Sequence, residues 1–155
     1  ATLAGLVSIA VAAGRPIMTH ASEPVGHVYP GKGAATPDKL LAFLAEFPDL
    51  ALVAAHWGGG LPFYELMPEV ARIAQRVVYD TAASTYLYRF QVFRSVLDIV
   101  GPDRVLFASD YPVLKQKRFL ERALTTEWRS EQERAAVLSG NARRVYRLPS
   151  RGESA

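Results

Sequence analysis

No cysteine occurs among the 155 residues. Disulfides, thiolate metal ligands and a cysteine nucleophile are thereby excluded, and any bound metal has to be held by His, Asp or Glu. Histidine is scarce as well, with only His20, His27 and His56. The apolar run from Thr2 to Gly14 is shorter than the ~20 residues a bilayer span needs, and it lacks the basic flank of a signal peptide. A buried helix is expected there instead, and no membrane partner. The net charge is +3 and the pI about 9.3, but the basic residues are scattered, with only Arg143, Arg144, Arg147 and Arg151 gathered near the end. That distribution gives a nucleic-acid partner little support. Also missing are G-x-S-x-G, H-E-x-x-H and G-x-x-x-x-G-K-[ST], which removes the serine-hydrolase elbow, the zincin helix and the phosphate loop.

What remains is a globular composition, 50% hydrophobic and 21% charged, of a size for one domain. Apolar periodicity and Gly/Pro punctuation divide it into alternating helices and strands. Residues 1–13 read as a helix, stopped by Gly14-Arg15-Pro16 before a strand at 16–20. A polar loop, 21–36, leads to a helix that Thr36-Pro37-Asp38 opens and Pro48-Asp49 ends. The strand 50–56 is almost continuously apolar, as expected of a strand buried on both faces. Gly58-Gly59-Gly60 then turns the chain, with close backbone approach as the reason for three glycines. A helix over 62–75, a strand over 76–80, a helix over 90–100 and a strand running from Arg104 up to Asp110 follow. Two last helices are expected near 115–128 and from Ser130 to Tyr146, the second opened by a Ser130/Glu133 capping box. Met18, Met67, Phe43, Phe47 and Phe93 look like core, and residues 149–155 like a frayed tail.

The informative residues stand at the strand ends. His20, His56, Asp80 and Asp110 each close a strand, and the carboxyl ends of parallel strands share one face. Imidazole and carboxylate are donors that zinc, manganese or iron accept, and a metal-bound water with a pKa of ~7 can attack a carbonyl. Asp80 has a plainer reading too, as a loop-capping acid that bonds Thr81 or a nearby backbone N–H. His27, Tyr29 and Lys32 lie in the loop after the first strand and are candidates for contacting a substrate carboxylate.

Thr19-His20-Ala21-Ser22, His56-Trp57-Gly58-Gly59, Ser109-Asp110-Tyr111-Pro112 and Gly140-Asn141-Ala142-Arg143-Arg144-Val145-Tyr146 together resemble the C-terminal half of the amidohydrolase-related family. These are metal-dependent (β/α)₈ hydrolases and decarboxylases. The resemblance implies an α/β fold over residues 1–148, half of a TIM barrel, with strands five to eight present. It implies His20 as metal ligand, His56 as the group that polarises substrate or transfers a proton, and Asp110 as ligand and general base. Trp57 and Asp80 would join the loop residues at the substrate. Zinc is the expected metal, with manganese or iron as substitutes, and the substrate a small carboxylated or cyclic organic molecule. The H-x-H pair of the family's first strand has no counterpart, so a fragment is expected, self-associating or pairing with a missing N-terminal half, in a cytoplasmic enzyme. Non-oxidative decarboxylation and a catalytically silent half-barrel are the alternatives.

Overall fold

Glycine and proline set the boundaries of the elements. In the computed structural model, which describes residues 2–149, α1 (Leu3–Ala13) starts at Thr2, whose hydroxyl accepts from the Gly5 N–H. It stops at Gly14, left-handed at φ 58°, whose N–H returns to the Ala10 and Val11 carbonyls. β1 (Ile17–Thr19) follows, and α2 (Pro37–Glu46) opens on proline and buries Leu40 and Leu44. β2 (Leu52–Ala54) is buried at every position, as its apolar run requires. β1 pairs with β2 and β2 with β3 (Val77–Asp80), both in parallel, in the registers Met18↔Val53 and Val53↔Val78. Between β2 and β3 come a left-handed turn at 56–60 and two short helices, α3 (Leu61–Tyr64) and α4 (Pro68–Ala74). The single helix expected over 62–75 is thus broken. Met67 is extended before Pro68, which has no N–H to continue a helical ladder.

The chain forms two compact units that divide between Asp80 and Thr81. No shift in composition marks the place. The second unit contains α5 (Ser84–Leu87), α6 (Val92–Val100), a 3₁₀ turn (Pro102–Arg104), β4 (Val105–Leu106), α7 (Gln116–Leu124), α8 (Glu131–Ala135) and α9 (Asn141–Tyr146). α6 buries Val92, Phe93, Val96 and Leu97 along one stripe. β4 is far shorter than the strand expected up to Asp110, because its continuation is bonded to other partners. Phe107 donates its N–H to Val137 O (3.0 Å), in the π-helical turn Ala136–Gly140 that joins α8 to α9. The Asn141 amide donates to Pro102 O (2.7 Å) and Val105 O (2.8 Å), which secures the strand at its start. This is the work of the asparagine in the Gly140-Asn141-Ala142 motif.

Three further expectations need correction. α1 is not a buried helix: only Val7 is buried, while Leu3, Leu6 and Ile9 are at least half exposed. Its apolar residues run all round the helix, and a single contact face cannot cover them. Met18 and Met67 are exposed rather than core, Met18 because alternate residues of β1 point away from the packed face. Of the expected capping box, Ser130 Oγ does accept from the Glu133 N–H (3.0 Å), but the Glu133 carboxylate is engaged by Arg94. The expected frayed tail lies, from residue 150 on, outside the described residues. Among the described residues no helix is long and apolar enough to cross a membrane.

Asn141 supports a test of this architecture. Its replacement by Ala strands two carbonyls, the Val105 one buried and the Pro102 one partly so, and should cost about 2 kcal/mol in chemical denaturation, against under ~0.5 kcal/mol for Gln132→Ala on the exposed face of α8.

Candidate active site

His20 follows β1 directly, exposed, with its ring edge-on to that of His56 at 4.8 Å between centroids and 67° between planes. Its Nε2 lies 2.8 Å from Ser22 Oγ, and the same hydroxyl accepts from the Gly33 N–H (3.0 Å). Ser22 is fully buried. One side chain therefore orients the imidazole and anchors the far end of the 21–36 loop.

His56 comes two residues after β2, at the first position of an unusual turn. Five successive residues, His56 to Gly60, have positive φ (57°, 55°, 60°, 62° and 91°). A left-handed conformation costs an L-residue roughly 1–2 kcal/mol, so glycine is natural at the last three positions and the strain falls on His56 and Trp57. Three contacts hold it. Asp80, 3% exposed, accepts the His56 N–H on Oδ1 at 2.9 Å. Gly59 lies so close to Ser22 that a Cβ would stand 2.5 Å from the Ser22 carbonyl oxygen, and at Gly58 a Cβ would stand 2.7 Å from the Tyr79 ring. The turn thus joins the ends of all three strands of the first unit. Strained backbone of this kind collects where a site needs a side chain presented in one direction.

The loop residues are tied to one another. Tyr29 OH donates to Glu23 Oε2 (3.2 Å), and Lys32 Nζ donates to Val25 O (2.8 Å) and His27 O (3.1 Å) and stands 5.7 Å from the Tyr29 ring centre. The His27 and Tyr29 rings are 5.4 Å apart. Burial raises the Tyr29 phenol above its ordinary pKa, the Ser22 hydrogen bond acts the other way, and the Glu23 charge adds to the rise.

In the second unit Thr81 takes over from the ladder. Its N–H donates to Leu106 O (3.0 Å), its hydroxyl donates to Ala108 O (2.8 Å) and accepts from the Ala108 N–H (2.9 Å). Two residues beyond this clamp stands Asp110, which has a positive φ of 66° and gives its carbonyl to the Val113 N–H. The Tyr111–Pro112 peptide is cis.

Several assignments change with this geometry. Asp110 does not close a strand; it sits in a turn four residues past the end of β4, because the Thr81 side chain replaces strand pairing there. Trp57 is fully buried and belongs to the core of the first unit rather than to a substrate-facing wall. Asp80 bonds a backbone N–H, that of His56. The Lys32 ammonium is engaged by loop carbonyls. Among the described residues no group of three or more His, Asp or Glu is placed to hold a metal ion. The positioning roles of Ser22 and Thr81 were not anticipated, although each directly follows or nearly follows a strand-end residue that was.

The sequence profile of the amidohydrolase family matches residues 3–148. The chain belongs to the amidohydrolase family. Solved structures similar to this amidohydrolase-family chain include 5-carboxyvanillate decarboxylase LigW from Sphingomonas paucimobilis, with a TM-score of 0.74 and 19% identity over 93% of this chain and 52% of that one. A dihydroxybenzoic acid decarboxylase from Polaromonas sp. JS666, with bound manganese and 2-nitroresorcinol, gives 0.70 and 18% over 91% and 52%. An amidohydrolase from Burkholderia multivorans with bound zinc gives 0.53 and 25% over 73% and 49%. No curated protein matches the chain. The fold is therefore α/β with four parallel strands, similar to TIM-barrel proteins, and the amidohydrolase-family chain spans about half the length of these structures.

The packing around the turn gives a paired test. Gly59→Ala combines a left-handed Cβ with overlap on Ser22 and should cost about 3 kcal/mol or more. Gly26→Ala, also at positive φ but with nothing near its Cβ, should cost about 1 kcal/mol. Urea titrations of both variants measure the difference.

Proposed function

We propose that this chain is the C-terminal half of a (β/α)₈ barrel, strands five to eight, of a metal-dependent hydrolase acting on a small carboxylated or cyclic organic substrate. The observation that carries the reading is the edge-on His20–His56 pair at the carboxyl ends of adjacent parallel strands, in a chain of the amidohydrolase family. Such ends are where TIM-barrel enzymes place their reactive groups.

His20 and Asp110 supply the nitrogen and oxygen donors that a divalent ion takes, zinc first and manganese or iron as substitutes. A ring nitrogen oriented by a hydroxyl, as Ser22 orients His20, suits a metal-binding imidazole. The donors fit in kind; in number they fall short of the three protein ligands of a catalytic zinc. A bound ion would lower the pKa of water and polarise a carbonyl. His56, whose backbone is fixed by Asp80, is the group to polarise the substrate or carry a proton beside that carbonyl, and Asp110 the carboxylate to accept one. His27 and Tyr29, in the loop that follows β1, are the candidate substrate contacts.

Decarboxylation is the second reading, supported by decarboxylases among the similar structures. In it the His56 imidazole delivers a proton to the carbon that loses carbon dioxide. A longer protein that includes the upstream half, assayed for carbon dioxide release and for ester, lactone or amide cleavage, separates the two. Loss of both activities in neither His20→Ala nor Asp110→Ala would remove the assignment. For the chain alone, zinc binding should be weak and fall about tenfold or more in either variant, as read by competition with a chromogenic chelator.

The chain is further expected to associate with a second copy or with the complementary half. β1 is an edge strand with Met18 exposed, and the apolar surface of α1 is largely uncovered. Sedimentation should show a species heavier than the monomer; a monomer at every concentration up to the highest soluble one overturns this.

A further inference from the structure

Four side chains of the first unit form a hydrogen-bonded chain that begins at His20. Its Nε2 meets Ser22 Oγ (2.8 Å), Ser22 shares a hydrogen bond with Tyr29, and the Tyr29 hydroxyl donates to Glu23 Oε2 (3.2 Å). We propose that Ser22, Tyr29 and Glu23 are positioning residues that lock the neutral His20 imidazole in one tautomer, its proton on Nε2 and its lone pair on Nδ1. The role rests on the reading of His20 as a metal ligand, and the tautomer itself does not.

Seen alone, the His20–Ser22 contact allows either direction, since a hydroxyl donates as well as accepts. Counting protons along the chain removes the ambiguity. A carboxylate only accepts, so the Tyr29 proton points at Glu23. The Tyr29 oxygen is then the acceptor in its bond with Ser22, which uses the single proton of that hydroxyl. Ser22 Oγ already accepts from the Gly33 N–H (3.0 Å), and its second lone pair is what it has left to offer His20. Nε2 must therefore donate.

The far end of the chain is fixed as well. Glu23 Oε1 is buried with no hydrogen-bond partner among the described residues, and Ser22 is fully buried. With Oε1 shut off from water, the carboxylate resists losing the phenol proton that its other oxygen receives. Reversing the chain would take that proton away. A ring nitrogen that donates to a fixed acceptor holds the imidazole plane and makes the opposite nitrogen a stronger donor to a metal ion. The Tyr29 hydroxyl is thereby committed, which leaves its ring for contact with a substrate.

Nitrogen-15 correlation spectra of the imidazole, recorded on the metal-free whole chain at mildly alkaline pH where imidazole is neutral, distinguish the two tautomers. The wild-type chain should show His20 protonated on Nε2. Tyr29→Phe keeps the ring but removes the oxygen to which Ser22 donates, so the Ser22 proton turns to Nε2 and His20 should shift to the Nδ1–H form. Zinc affinity, read by competition with a chromogenic chelator, should fall roughly threefold in the same variant. Glu23→Gln still offers an acceptor to the Tyr29 proton and should keep the wild-type tautomer. An Nδ1–H ring in the wild-type chain, or a tautomer unmoved by Tyr29→Phe, overturns the proposal. A moved tautomer with unchanged zinc affinity overturns the positioning role. Zinc binding unmoved by His20→Ala removes the functional reading instead and leaves the tautomer assignment standing.

Discussion

The hydrogen bond from the His56 N–H to the buried Asp80 carboxylate is the constraint on which the first unit depends. A run of left-handed backbone is unstable by itself, since each non-glycine residue in it opposes its own Cβ. The bond from β3 and the close seat of Gly59 on Ser22 over-determine the turn, so the chain has no less strained course that keeps both. The direction in which the His56 Cα–Cβ bond leaves the chain is then a property of the backbone.

Thr81 does the corresponding work one residue later, within the second unit. Its hydroxyl acts as donor and acceptor at once toward Ala108, in place of two ladder bonds. With Asn141 at the start of β4 and Val137 O taking the Phe107 N–H, a strand of only two residues is held by side chains and by a helix carbonyl. Widening of α8–α9 into a π-turn is where that carbonyl comes from, a frequent companion of sites that need backbone groups redirected.

Sequence reasoning reached the α/β class with parallel strands, the general alternation of helices and strands and the places of His20 and His56 just after β1 and β2, because continuous apolar runs and Gly/Pro breaks are local signals. It did not reach the short β4, since the apolar residues 105–108 read alike whether a strand or a threonine side chain takes their hydrogen bonds. Trp57 was misplaced for a related reason: being next to a site histidine in sequence does not make a side chain face the site, and on this left-handed turn Trp57 goes into the core. The three glycines after it carried that information in muted form. The apolar run of α1 was equally ambiguous, because hydrophobicity on all sides predicts burial only if there is protein on all sides to bury it.

The stapled loop has a kinetic meaning. Lys32, reaching back to the carbonyls of Val25 and His27, closes the 21–36 segment on itself, and Tyr29 to Glu23 adds a second tie. A loop ordered in this way loses its conformational freedom during folding rather than at the moment a ligand arrives. Encounter with a small molecule would then be governed by diffusion and shape, with no ordering step to slow it.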